Sequence, residues 1–201
     1  SSDAFQVVAV GKPTNVKYLK LDEVFDPPKD KDVYFGPAIR RAQGDKKENI
    51  LGTRMLWVDA DDPQEPQSTF PPSFTVFSGH GWHLYWTLEE PLLDLTTIEA
   101  LNKTLAADVP TGDPACWNCN RVLRIPGTVN CKDPDNSISV TLKVQRPGVK
   151  YTLADMTVLS LLSSKTRHKI RTGDSRGYRS RSERDWAIVT DLVAAGATDK
   201  L

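Results

Sequence analysis

Apolar and polar positions alternate along the first half of the chain in short runs with the two-residue period of extended strands. The runs are VVAV near Val7, DVYFGPAIR from Asp32, RMLWVDAD from Arg54, and FTVFSG then WHLYWTL between Phe74 and Leu88. Each is rich in β-branched or aromatic residues and bounded by Pro, Gly or Asp, which predicts strands. The stretch SGHG, Ser78 to Gly81, supplies two glycines where the last two runs must reverse, and predicts a hairpin. The period then lengthens. In LTTIEALNKTLAADV, Ile98, Leu101 and Leu105 recur at helical spacing, with Thr96 and Glu99 read as a capping box. Strand-like composition returns in RVLRIPGTVN and SISVTLKV, separated by the turn-rich CKDPDNS. Strands, one helix and strands again predict an α+β domain with a mainly antiparallel sheet over residues 1–150.

From Tyr151 the pattern changes. TLADMTVLSLLS is helical, and SERDWAIVTDLVAAG predicts another helix with Ser182 as its cap. Ala195-Gly196 reads as a helix end and ATDKL as the cap of a further helix. Residues 151–201 are therefore expected to be a helical segment, a basic linker and the beginning of a truncated helical module from a longer protein. The linker is where charge changes the picture. Lys plus Arg and Asp plus Glu both total 26, so the chain as a whole attracts neither sign of partner. Between Ser163 and Arg184, however, eight Lys and Arg stand against two acids among glycines and serines. Such a stretch can neutralise phosphates or simply be solvated.

No apolar run approaches the roughly 20 residues of a spanning helix, and SSDAFQVV lacks a signal peptide's basic and apolar blocks. Three cysteines without disulfide-scaffold spacing suit a reducing compartment. A cytoplasmic protein with no membrane partner is expected.

Three groups of residues carry candidate chemistry. On a strand, Asp59 and Asp61 share a face with Trp57 while Val58 and Ala60 take the other. Two carboxylates side by side on an apolar strand repel one another unless cations lie between them, and a pair of divalent ions about 3.5–4 Å apart is the arrangement polymerases and nucleases use. A plain strand end turning at Asp62-Pro63 also accounts for VDADDP. In SGHGWHLYW, Ser78 and His83 lie across the turn, where glycines let a phosphate approach the backbone; a core or capping histidine is the alternative. In TGDPACWNCNRVLRIPGTVNCK, Asp113 offers a third carboxylate, and Arg121, Arg124 and Lys132 offer cations, unless these are ordinary surface charges. Cys116, Cys119 and Cys131 have a spacing that zinc tolerates, but no fourth ligand is evident nearby, and ordinary thiols are expected.

The order VDAD, SGHGWHLYW, GDPAC and RVLRIPGTVNCK, preceded by VYFGPAIRR, resembles the archaeo-eukaryotic primase superfamily, in its primase-polymerases of plasmids, phages and mobile elements. The match spans roughly Asp32 to Lys132. It implies an RRM-like catalytic core and a template-directed nucleotidyltransferase joining nucleoside triphosphates on single-stranded DNA, with or without an RNA or DNA primer. Asp59, Asp61 and Asp113 would hold two Mg²⁺ or Mn²⁺ ions, with His83 beside them. Ser78, His83, Arg124 and Lys132 would bind the triphosphate, with Arg40 and Arg41 as further cations. Trp82, Tyr85, Trp86 and Trp117 are aromatics available to template bases or to the core. A replicative helicase or further domains of the full-length chain would be partners. Many relatives carry Asp where this chain has Asn118, so the third ligand falls to Asp113, with Asp108 the weaker choice. His80 has no counterpart in the pattern. A non-catalytic module binding single-stranded nucleic acid is the principal rival; a nuclease using the same acids is another. A strand-nicking initiator fits poorly, because two residues separate His80 from His83.

Overall fold

Extended segments form at each alternating run in the computed structural model, which describes residues 4–12, 15–44 and 46–197. The strands of the first half are β1 (Phe5–Val10), β2 (Val16–Lys20), β3 (Val33–Phe35), β4 (Ile39–Arg40), β5 (Ile50–Ala60), β6 (Phe74–Phe77) and β7 (Trp82–Leu92). Helix α1 (Leu95–Asp108) follows, then the short β8 (Leu123–Arg124), β9 (Val129–Asn130) and β10 (Ile138–Ser139), and the longer β11 (Thr141–Gln145). Helices α2 (Leu153–Leu161), α3 (Ser164–Thr172) and α4 (Arg181–Ala194) complete the described chain. The result is α+β with an antiparallel main sheet, as the residue pattern predicts.

Among the described residues, nine strands form that sheet in the order β11-β6-β7-β5-β4-β1-β3-β8, with β2 paired to β1; β9 and β10 pair separately. The sheet does not lie flat. β3 and β7 stand four places apart in the order, yet the rings of Phe35 and Tyr85 meet with centroids 6.1 Å apart. The sheet therefore curls on itself, the expected response of a twisted sheet of this size. Tyr85 also stacks on Phe74 at 4.7 Å and pairs with Trp57 across β5 and β7.

Leu56, Trp57, Leu84, Tyr85 and Trp86 are fully buried, and Ile98, Leu101 and Leu105 of α1 and Met156 and Leu159 of α2 join the same core. Each such side chain contributes about 2 kcal/mol by leaving water. Asn102, buried in the apolar stripe of α1, accepts the Trp57 amide at 3.1 Å. It thereby caps an edge of β5 that no strand covers.

Three helix expectations need correction. α1 is capped by Asp94, whose carboxylate accepts the Thr96 and Thr97 amides, and Glu99 receives Lys47 and the Cys119 amide instead. α4 is capped by Ser180, which accepts the Glu183 amide, while the Glu183 carboxylate accepts the Arg179 amide at 2.6 Å. These two bonds fix the start two residues ahead of Ser182. The segment expected as a basic linker contains α3: Lys169 is buried with its ammonium over the Tyr178 ring, and Arg171 reaches the buried Asp108 carboxylate at 2.7 Å. Its charges are partly spent inside the protein. The further helix expected at the end of the chain falls on residues 198–201, outside the described ones.

Candidate active site

The site is built on the C-terminal end of β5. The register of β5 with β7 sets Asp59 opposite His83 and Ala60 opposite Trp82. On the other edge of β5 the chain leaving α1 returns as an extended segment, forming an antiparallel bridge between Ala60 and Gly112. The Asp113 amide donates to the Asp59 carbonyl at 2.7 Å and the Asp61 amide to the Thr111 carbonyl at 3.2 Å. In this register Asp59 faces Asp113, and paired residues project from the same side of a sheet. His83, Asp59 and Asp113 thus form one row across three neighbouring segments, with Asp61 one step further along β5. The close approach of the strands depends on small residues. A Cβ on Gly81 would lie 2.5 Å from the Ala60 carbonyl oxygen, and one on Gly112 would lie 2.4 Å from that of Ala106.

The row is electrostatically strained. Burial chiefly, then Asp61 and Asp113, push the Asp59 carboxyl up to about 6, against the opposing pull of Arg121 and Arg124. Asp113 keeps one oxygen on the Ala115 amide at 2.8 Å. His83 is buried, with Nε2 3.7 Å from Asp59 and Nδ1 3.5 Å from the Tyr85 hydroxyl. Burial and then Arg124 push its pKa down to about 3, so the imidazole is neutral near pH 7 and can offer a hydrogen bond but no charge. As the side chains stand, no three carboxylate, imidazole or thiol groups among the described residues close around one point. The donor set nevertheless fits a hard divalent ion: three carboxylates, one with its pKa raised by burial and then by the other two, more than the neighbouring arginines offset.

Two arginines flank the acids. β3 and β8 pair Tyr34 with Arg124, whose guanidinium lies over the Tyr34 ring and donates through Nε to Asp32 at 3.0 Å. Asp32 also accepts the Cys131 amide at 3.2 Å and the Tyr34 hydroxyl at 3.3 Å. Arg121 donates through Nε to Asn118 at 3.1 Å and through Nη2 to the Ala115 carbonyl at 2.5 Å. Asn118 is occupied in holding this arginine. Asp32 escaped the sequence reading because an acid at the start of a strand is ordinary; only the pairing of β3 with β8 gives it a partner.

Other candidates are placed as follows. The Ser78 hydroxyl is buried and donates to the Gly81 carbonyl at 3.1 Å, locking the turn. Lys132 is exposed just past Cys131. Arg40 and Arg41 are not brought to the row. β4 pairs with the opposite end of β5, roughly 30 Å from Asp59 at ~3.3 Å per residue. The Arg40 side chain is buried there and donates to the Gly44 carbonyl at 2.7 Å. Asp108 is removed as a ligand by its enclosure with Thr69 and Arg171. Trp82, Tyr85 and Trp86 belong to the core, whereas Trp117 is half-buried under the Lys103 ammonium. A recess of about 450 Å³ lined by Phe35, Met55, Phe74 and Ile125 offers aromatic surface the sequence reading did not name. The three thiols stand apart. Cys116 and Cys119 are buried, each pushed up to about 12 mainly by burial, and Cys131 lies against the Asp30 carbonyl.

The structure resembles the archaeo-eukaryotic primase domain of the cyanophage S-2L primase-polymerase, with a TM-score of 0.52 and 16% identity over 77% of this chain and 87% of that one. The chain has the fold of a primase-polymerase core. Two structures of primase RepB′ align more loosely. One has a TM-score of 0.49 at 14% identity, covering 96% of this chain and 64% of that one; the other, in complex with initiator DNA, has 0.45 at 16%, covering 71% and 77%. No protein-family model and no curated protein sequence matches the chain. At such identities the likeness of this primase-type core to the phage domain is one of fold, and the chemistry has to be argued from the residues. Among the described residues, no helix is long and apolar enough to cross a membrane.

Proposed function

We propose that this primase-type core is a template-directed nucleotidyltransferase that joins nucleoside triphosphates on single-stranded DNA. The observation that carries the reading is the row of His83, Asp59 and Asp113 with Asp61 beside it, flanked by Arg121 and Arg124. Acids concentrated on one sheet face and cations beside them match the needs of phosphoryl transfer, in which positioning and charge stabilisation supply most of the rate. In the reaction the 3′-hydroxyl oxygen bonds to the α-phosphorus, the bond from that phosphorus to the bridging oxygen breaks, pyrophosphate leaves and the hydroxyl proton passes to solvent.

Asp59, Asp61 and Asp113 would hold Mg²⁺ or Mn²⁺, which supplies Lewis acidity at the attacking and leaving oxygens. The neutral His83 donates an N–H to a phosphate oxygen without adding a charge that would compete for the acids. Arg124 and Arg121 neutralise the triphosphate, with Lys132 as an outer cation. Half-buried Trp117 and the recess at Phe35 and Phe74 provide surfaces on which unpaired bases stack.

The test is incorporation of labelled nucleotides on a primed single-stranded template with Mg²⁺ or Mn²⁺, comparing wild type with Asp59→Asn/Asp61→Asn. Loss of synthesis by at least a hundredfold in the double variant, with template binding retained, is the expected result. Undiminished synthesis overturns the reading. Template binding without synthesis in the wild type would make the chain a non-catalytic binding module.

A further inference from the structure

The two arginines beside the acids are held in the same unusual way. Each is tethered through Nε by a side-chain oxygen from elsewhere in the site: Arg124 by Asp32 and Arg121 by Asn118. A guanidinium carries five N–H donors in a planar fork, and the pair of terminal nitrogens is the edge that suits a phosphate. Among the described residues, no acceptor takes either terminal nitrogen of Arg124, and one of the two on Arg121 is likewise open. Asp32 is itself fixed, with one oxygen on the Cys131 amide and the other shared by Arg124 and the Tyr34 hydroxyl. The Tyr34 ring supports the guanidinium from one side. Arg124 and Asp32 are mostly shielded, with side-chain exposures of 20% and 14%.

From this geometry we infer that Asp32 and Asn118 are positioning residues: Asp32 aims the terminal edge of Arg124, and Asn118 the one open terminal nitrogen of Arg121, at the phosphates of the incoming nucleotide. The inference rests on the nucleotidyltransferase reading for the identity of the ligand. A latch that blocks the site would instead occupy both terminal nitrogens of each arginine. The two arrangements differ in sign. By charge alone, removing Asp32 makes the site more positive and tightens a triphosphate; as a tether, its removal frees the arginine to sample other rotamers and weakens it.

The experiment titrates dATP in the presence of Mn²⁺ into wild type, Asp32→Asn, Arg124→Ala and the double variant, and follows primer extension in parallel. In Asp32→Asn the one remaining oxygen stays on the Cys131 amide, and the NH₂ group that replaces the other faces Arg124 as a donor, donating to the Tyr34 hydroxyl, so the tether is lost. This variant is expected to weaken dATP binding about tenfold and to raise KM with kcat within about twofold, and the double variant is expected to be no worse than Arg124→Ala. Asn118→Ala should weaken binding about threefold, through Arg121. The Arg124 Nε–H resonance should exchange slowly in the wild type and broaden or vanish in Asp32→Asn. Unchanged or tighter dATP binding in Asp32→Asn overturns the inference, as does fully additive loss in the double variant or failure of the wild type to bind dATP. Binding with the expected pattern but no primer extension overturns the nucleotidyltransferase reading and leaves the tether standing. If Asp32→Asn unfolds below the assay temperature, Asn118→Ala with Arg121→Ala carries the same comparison.

Discussion

Asp59 and Asp113 face each other across the Ala60–Gly112 bridge, tied by the Asp113 amide on the Asp59 carbonyl at 2.7 Å. Their carboxylates share a face with that of Asp61, and the Asp59 carboxyl is pushed up to about 6, first by burial and then by these two neighbours. A carboxyl whose folded pKa lies above its unfolded one stabilises the fold at low pH, and that contribution is lost as pH rises from about 4 through about 6. The nominal penalty above pH 6 is about 3 kcal/mol. With the side chain 34% open to solvent, about 1 kcal/mol is the better expectation. Asp59→Asn should therefore raise Tm by roughly 2–4 °C at pH 8 in EDTA; on the proposed reading excess Mn²⁺ should raise the Tm of the wild type and not that of the variant. Differential scanning fluorimetry with and without Mn²⁺ checks both. A lower Tm for the variant in EDTA would show that the acids are not in conflict.

His83 carries the opposite linkage. Its pKa is pushed down to about 3 by burial and Arg124, so below about pH 6.5 the unfolded chain takes up a proton that the folded one refuses, and stability falls with the pH. In the folded protein its two ring nitrogens should keep the widely separated ¹⁵N shifts of a neutral imidazole between pH 5 and pH 8, moving only slightly as the neighbouring Asp59 titrates near 6, read by ¹H–¹⁵N correlation. Convergence of the two ¹⁵N shifts with a midpoint near 6.5 would mean that the imidazole can charge beside Asp59 and serve as a cation.

The strand carrying Asp59 and Asp61, the hairpin at Ser78 to Gly81 and the apolar stripe of α1 were legible because each is a local period or turn signal. Asp113 was legible as a nearby acid. Its place opposite Asp59 was not, since that depends on a bridge between positions 60 and 112. The caps show the same limit. Thr96 and Asp94, or Ser182 and Ser180, are similarly good caps by residue type, and the wider structure chooses between them. The basic segment misled for a related reason: Lys169 and Arg171 look solvated until Tyr178 and Asp108 are brought to them. Asp32 and Asn118 acquire meaning only once β8 and the turn before it have been folded onto the site.

Gly81 tests how closely the strands must approach. Its hypothetical Cβ lies 2.5 Å from the Ala60 carbonyl oxygen, a backbone atom that cannot swing aside, next to the pair that sets Asp59 against His83. Gly81→Ala should lower stability by about 1–3 kcal/mol in urea denaturation and weaken Mn²⁺ binding even where the variant is fully folded. Retained Mn²⁺ affinity would mean that the site tolerates a shift of β7 against β5.

The buried pair of Asp108 and Arg171 decides whether α3 is structure or nucleic-acid surface. The Asp108 side chain is fully enclosed, accepting from the Thr69 amide and hydroxyl as well as from Arg171 at 2.7 Å. Removing one partner leaves an uncompensated charge inside the protein, which typically costs about 3–5 kcal/mol. Arg171→Ala should lose about that much in urea denaturation. Asp108→Asn/Arg171→Met, which removes both charges and keeps the volume, should lose far less, because nothing charged is left stranded. If Arg171 instead served the template, the single variant would leave stability nearly unchanged and weaken single-stranded DNA binding with a reduced salt dependence. The enclosure of Asp108 predicts the first outcome, with DNA affinity and its salt slope in the double variant equal to those of the wild type.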